Sequence, residues 1–259
     1  MQQIDYSGRR NFLKYGAIGT GLVTAPKIVK QVASFFSPLE AEAAEASSDK
    51  NKVKINKVVS TTNSIELKLQ EHDSIDIYKN IKRGTRQLES GISEEGYNKL
   101  RGTFRGIYET ASGKFEATRN DAYIALRVMA LAHAGFSSMN AASFVMIKER
   151  YLDNALVDYT TALKLRQELN ARTKKPIERL YVEGDRNGIL LVSEETLKER
   201  VAEILSELYK YKKGREREEF RREGMHLYTE LLASAIDPNK IRIYHEGLKK
   251  LYAPQPIHR

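Results

Sequence analysis

The chain has 259 residues, is 41% hydrophobic and 30% charged, and carries a formal net charge of +9. This balance excludes wholesale disorder, and the length allows a core to form without metals or cross-links. There is no cysteine, which excludes disulfides, thiolate zinc sites, cysteine-ligated iron–sulfur clusters and cysteine nucleophiles. Five basic and three acidic residues among the first 43 leave about +7 on the remainder. Acids and bases are well mixed there, so the excess is first a solubility property and second an attraction for anionic partners.

The chain opens with Ser7-Gly8-Arg9-Arg10-Asn11-Phe12-Leu13-Lys14. Arg9, Arg10, Phe12, Leu13 and Lys14 give the run its character, and it resembles the twin-arginine translocation signal, S/T-R-R-x-F-L-K. Gly8 departs from the pattern, standing where Ser or Thr is usual. Tyr15 to Ala25 is uncharged and rich in Gly and Ala, but too short for a stable span, which needs about 20 residues. Pro26 breaks any helix, and Lys27 and Lys30 follow the apolar stretch. Ala41-Glu42-Ala43 places Ala41 and Ala43 at signal-peptidase offsets, with Ala44 as the new N-terminus. The resemblance implies the twin-arginine translocase as a partner. It also implies a location in the periplasm or on the outer face of a prokaryotic cytoplasmic membrane. Left uncut, the segment would remain as a membrane anchor, extended by Phe35 and Phe36.

Three regions follow: a signal segment at 1–43, a small polar linker at 44–52, and one mainly helical domain at 53–259, a split near Lys174 being the alternative. Val53, Ile55, Ile65, Leu67 and Leu69 alternate around Ser60-Thr61-Thr62-Asn63 and predict a hairpin over about 53–69. A helix with Ile77, Ile81, Thr85 and Leu88 on one face should follow, capped by Asp73 or Ser74 and ended by Gly91. Ser93 opens the next, with Tyr97, Leu100, Phe104, Ile107, Tyr108 and Ala111 as its stripe. Asp121 to Gly135 is apolar around most of its circumference, which marks a central, buried helix, and Ala141 to Ile147 reads the same way. Asn154 to Leu169 is amphipathic. Leu180 to Val192, with Asn187-Gly188 inside it, predicts a second hairpin over 180–192. Helices from Ser193 to about Lys213, Arg215 to Ala235 and Ile241 to Tyr252 complete the chain. The expected fold is mainly α, a helical bundle or irregular helical array with two small β-hairpins. Tyr151-x-x-x-Ala155-Leu156-x-x-Tyr159-x-x-Ala162-Leu163-x-Leu165 is similar to the second helix of a tetratricopeptide unit, but the 34-residue period does not recur.

Catalytic signals are weak. The histidines, His72, His133, His226, His245 and His258, form no metal-ligating pair at helical spacing, and His133 reads as a core histidine. Asp185-Arg186-Asn187-Gly188 matches part of a calcium loop, but the later ligand positions are Ile and Leu. No metal or cofactor is expected. Glu89-Ser90-Gly91 slightly resembles the catalytic Glu-Ser of lytic transglycosylases. Glu89 or Glu109 would then be the acid of a wall-polysaccharide hydrolase or lyase. The Gly-x-x-Gly-Leu-Met-Gln stretch of that family is absent. Arg101-Gly102-x-Phe104-Arg105-Gly106 mixes basic and aromatic residues, but Phe104 falls on the inner face, and an exported chain meets little nucleic acid. The expectation is a non-enzymatic binding or structural module of the cell envelope. Its candidate surface for an anionic partner, lipid head group or wall polymer, is Lys210, Lys212, Lys213, Arg215 and Arg217.

Overall fold

The computed structural model describes residues 65–90, 93–173, 175–185 and 187–252. The signal run Arg9 to Lys14, the peptidase site at Ala41 and Ala43, the linker, the 53–64 half of the first hairpin, Gly91 and His258 lie outside these residues.

In chain order the elements are β1 (Ile65–Lys68), α1 (His72–Leu88), α2 (Glu94–Thr118), α3 (Asp121–Ala142), α4 (Glu149–Arg172), β2 (Ile177–Tyr181), β3 (Ile189–Leu190), α5 (Glu194–Leu208), α6 (Gly214–Ser234) and α7 (Pro238–Tyr252). The fold is mainly α with a minor sheet, as the periodicity predicts. α3 is the central element. Its residues from Ala122 to Ala134 are buried on every side, with only Arg127 partly exposed. α2 and α4 pack along its length. Alanine and glycine make the close approach of α3 and α4 achievable: a Cβ on Gly135 would sit 2.7 Å from the Tyr159 ring.

Local chemistry sets most helix starts. Ser93 Oγ accepts from Gly96 N, Asn120 Oδ1 from Ala122 N, and Ser193 Oγ from Thr196 N, each satisfying a backbone donor that the helix leaves open. α1 departs from expectation. Neither Asp73 nor Ser74 caps it; Glu71 occupies the cap position without a side-chain cap. Ser74 Oγ donates back to Glu71 O, while the Glu71 carboxylate accepts from Asn120 Nδ2 and Tyr123 Oη on α3. α7 begins earlier than its apolar stripe suggests, because Pro238 suits a first helical position and Asp237 Oδ1 accepts from Asn239 N.

The β elements differ from two separate hairpins. They form one three-stranded sheet in the order β1-β2-β3. The described strand of the first hairpin, β1, pairs in parallel with β2, Leu67 opposite Leu180, while β2 and β3 pair antiparallel with Leu180 opposite Ile189. The second hairpin therefore exists, starting three residues earlier than expected. Its Asn-Gly signal works through Gly188, whose φ is +58° and whose Cβ would lie 2.7 Å from the Leu180 carbonyl oxygen. Asp185 in the connecting turn ties the sheet to α1 by accepting from Tyr78 Oη and Lys82 Nζ, both at 2.6 Å.

A second correction concerns 141–147. α3 ends at Ala142, and the segment leading to α4 is not buried helix: Phe144 is 50%, Met146 69% and Ile147 76% exposed.

Candidate functional site

The basic residues singled out in the sequence converge on the turn between α5 and α6, but most already have partners within the chain. α5 stops at Leu208 rather than continuing to Lys213, which places 209–213 in a turn beside the start of α4. Lys212 is only 11% exposed and lies 2.9 Å from Glu149, 3.3 Å from Asp153 and 3.4 Å from Glu216. Burial alone would lower its pKa, but the Glu149 hydrogen bond and the three carboxylate charges hold it above the usual lysine value. Lys210 pairs with Glu207 and Arg215 with Glu219. The Arg217 guanidinium stacks 4.5 Å from the Tyr209 ring centroid. Of the five, Lys213 alone is exposed with no such contact among the described residues.

Lys212 therefore joins α4 to α6. Replacing it with Met should lower stability by about 1–2 kcal/mol, because three carboxylates lose their shared cation in a half-screened setting. Thermal melting of Lys212→Met against wild type checks this.

The other candidates separate clearly. Glu89, just past the end of α1, and Glu109, on α2, are both exposed. A shallow recess between α5 and α6 is lined by Glu194, Glu195, Lys198, Glu230, Leu231 and Ser234, neither candidate among them. Lys198 bridges Glu194 and Glu230 there. Asp185 is burdened by burial, yet the bonds from Lys82 and Tyr78 hold its pKa down to about 2. His72 and His226 are exposed, beside Asp76 and Glu230, and His245 is exposed on α7. His133 is fully buried, 2.7 Å from Met129 O and 2.9 Å from Thr85 Oγ1. Among the described residues no group of His, Asp and Glu is placed to hold a metal ion. No described helix is long and apolar enough to cross a membrane.

Arg101 and Arg105 do not present a free basic face. Their Nε atoms lie 2.9 and 3.2 Å from the two carboxylate oxygens of Asp158, which has no exposed surface. Burial pushes the Asp158 pKa up, and the two guanidinium groups oppose that. Asp158 stands inside the tetratricopeptide-like segment and was invisible as a partner, since nothing local in the sequence pairs positions 101 and 158.

The sequence reading also missed the α3–α4 connection. Its Phe144-Val145-Met146-Ile147 run has the composition of the apolar helix before it and so predicts core. The available signal was the change from that run to Lys148-Glu149-Arg150. Phe144 leans on Tyr97, ring centroids 5.9 Å apart, and Tyr151 donates to Glu94, so the connection sits beside the start of α2. The Lys212 contacts to Glu149 and Asp153 bring the α5–α6 turn to the same end of the bundle.

No family model, curated protein or solved structure matches this chain.

Proposed function

We propose that this chain is an exported, twin-arginine-dependent helical protein of the prokaryotic cell envelope, working as a binding or structural module. The observation that carries the reading is the run Arg9-Arg10-Asn11-Phe12-Leu13-Lys14, followed by a weakly apolar stretch and Ala41-Glu42-Ala43. The ion pairs at Asp158 and Lys212 join helices to one another, which suits a structural module. The competing reading, a wall-polysaccharide hydrolase acting through Glu89 or Glu109, needs an acid in a cleft facing a second polar group. Both carboxylates are exposed, and neither lines the recess between α5 and α6.

Fractionation of the native host tests the export claim. Wild type is expected outside the cytoplasm, beginning at Ala44 or retained on the membrane from Met1. The Arg9→Lys plus Arg10→Lys double variant is expected to stay inside. Wild type in the soluble cytoplasm with Met1 intact would overturn the reading.

A further inference from the structure

We propose that Asn187 is a site of self-modification: the Gly188 backbone nitrogen attacks the Asn187 carboxamide, ammonia leaves, and Arg179 accelerates the step. The inference stands apart from the export reading, because it depends only on the β2–β3 turn.

The reacting pair is free within a fixed frame. Asn187 is exposed, and its carboxamide makes no hydrogen bond among the described residues. The Gly188 N–H is free as well. Ile189 pairs with Leu180 and Leu191 N donates to Glu178 O, so the ladder takes alternate donors and passes over Gly188. The backbone around the pair is held. Asn187 N–H donates to the Asp185 carboxylate, and Asn187 O accepts from Arg179 Nη1 at 2.9 Å. Gly188 brings no side chain into the path of attack. A Cβ there would lie 2.9 and 3.0 Å from Arg179 Cγ and Cδ, so the arginine stem lies across the glycine.

The guanidinium touches the group that reacts. Asn187 O and Gly188 N belong to one peptide unit. When hydroxide or water removes the Gly188 N–H proton, amide resonance spreads the negative charge from nitrogen to that oxygen. Arg179 already stands where the charge develops, as a donor fixed before the reaction begins. Its side chain is 23% exposed, so water screens it only in part. Among the described residues Glu66 is the one carboxylate paired with it, at 3.8 Å and itself largely exposed. The Asp185 charge is taken up by Lys82 and Tyr78. The nitrogen then bonds to Asn187 Cγ, the Cγ–Nδ2 bond breaks, and ammonia leaves with a proton from water. Water opens the resulting cyclic imide at either carbonyl, giving an aspartyl or an isoaspartyl residue at position 187. Nothing is oxidised or reduced, and water is the only co-reactant. The isoaspartyl product carries an extra methylene in the main chain just before β3, and a carboxylate replaces the neutral carboxamide.

Peptide mapping of the purified full chain tests this, after incubation at neutral pH either folded in buffer or unfolded in urea. Conversion of carboxamide to carboxyl is followed in the peptide that spans position 187, and an isoaspartate-specific methyltransferase marks the rearranged product. Wild type should convert about tenfold faster folded than unfolded, the worth of one charge-assisted hydrogen bond. In Arg179→Met the side chain still covers Gly188, and the folded rate should fall to the unfolded one while the rate in urea stays at the wild-type value. Arg179→Lys should keep part of the acceleration, because it retains a cationic donor. Asn187→Gln should remove the product from this peptide.

Slower conversion in the folded chain than in urea would overturn the proposal, since the turn would then protect Asn187. Equal folded rates in wild type and Arg179→Met would overturn it too, as would an Arg179→Lys chain no faster than Arg179→Met. If Arg179→Met does not fold, seen as a lost melting transition, the comparison of folded with unfolded wild type decides alone.

Discussion

Phe104→Ala is expected to lower the unfolding free energy by about 3–5 kcal/mol. Phe104 has no exposed surface. Its ring lies 5.1 Å from the His133 ring on α3, and its Cζ fills the space where a Cβ on Gly84 of α1 would stand, 2.6 Å away. Three helices therefore meet on one side chain. Removing it leaves a cavity that none of the three can close without shifting the others. Urea titration should show a lower midpoint at an unchanged slope, since the surface exposed on unfolding is nearly the same.

The contact with Gly84 supplies an internal control. Gly84→Ala alone should destabilise, because the clash with the Phe104 ring outweighs the roughly 1 kcal/mol of helix propensity that alanine adds. In the Phe104→Ala background the clash is gone, and the same change should become neutral or stabilising. Additive behaviour of the two changes would mean that the rings and backbone do not share this space.

The second large effect is acid sensitivity through His133. The Met129 carbonyl can only accept, so Nδ1 carries the proton, while Nε2 lies 2.9 Å from Thr85 Oγ1, whose single hydroxyl proton also faces the Ile81 carbonyl. Burial pushes its pKa down to about 4 from an ordinary 6.5, against the pull of the Met129 carbonyl. The folded value lies below the unfolded one, so the unfolded chain binds the extra proton first as pH falls. Stability is then lost from about pH 6.5 down to about pH 4 and levels below that, for a total of about 3 kcal/mol. His133→Gln keeps a polar side chain but does not titrate. The difference between wild type and this variant, measured by urea unfolding at pH 7 and pH 4.5, isolates the contribution from carboxylates. Equal losses in the two proteins would show that His133 is reached by solvent before unfolding. The Asp185 contribution falls in a lower window, between its ordinary carboxylate value and about 2, and has the same sign, because its folded pKa is also depressed.

Much of the helical framework was legible in the sequence because helix formation is governed by neighbours a few positions away. Ile77, Ile81 and Leu88 repeat at helical spacing and are buried in α1 as that spacing requires. Ser93 and Ser193 precede acidic first turns and cap α2 and α5. The apolar circumference of Asp121 to Gly135 marked α3 as the centre, and it is. The candidate surface was less legible. Lys210, Lys212, Lys213, Arg215 and Arg217 form a basic run along the chain, but whether a cation is available to a partner depends on what stands opposite it. For Lys212 that is three carboxylates from two other segments. The same composition that suggested a core segment at 141–147 fits equally well a loop that leaves Phe144, Met146 and Ile147 in solvent.

By itself, then, the sequence determined the positions of most helices, the caps at Ser93 and Ser193, the identity of the central helix and the tight turn at Gly188, all consequences of local periodicity and backbone conformation. Only the tertiary structure decided the parallel pairing of β1 with β2, the convergence of Arg101 and Arg105 on Asp158, the burial of Lys212 and the exposure of the α3–α4 tip. Each of these joins residues from distant parts of the chain. Their energies come from desolvation and close contact between segments, and these exist only once the helices have packed.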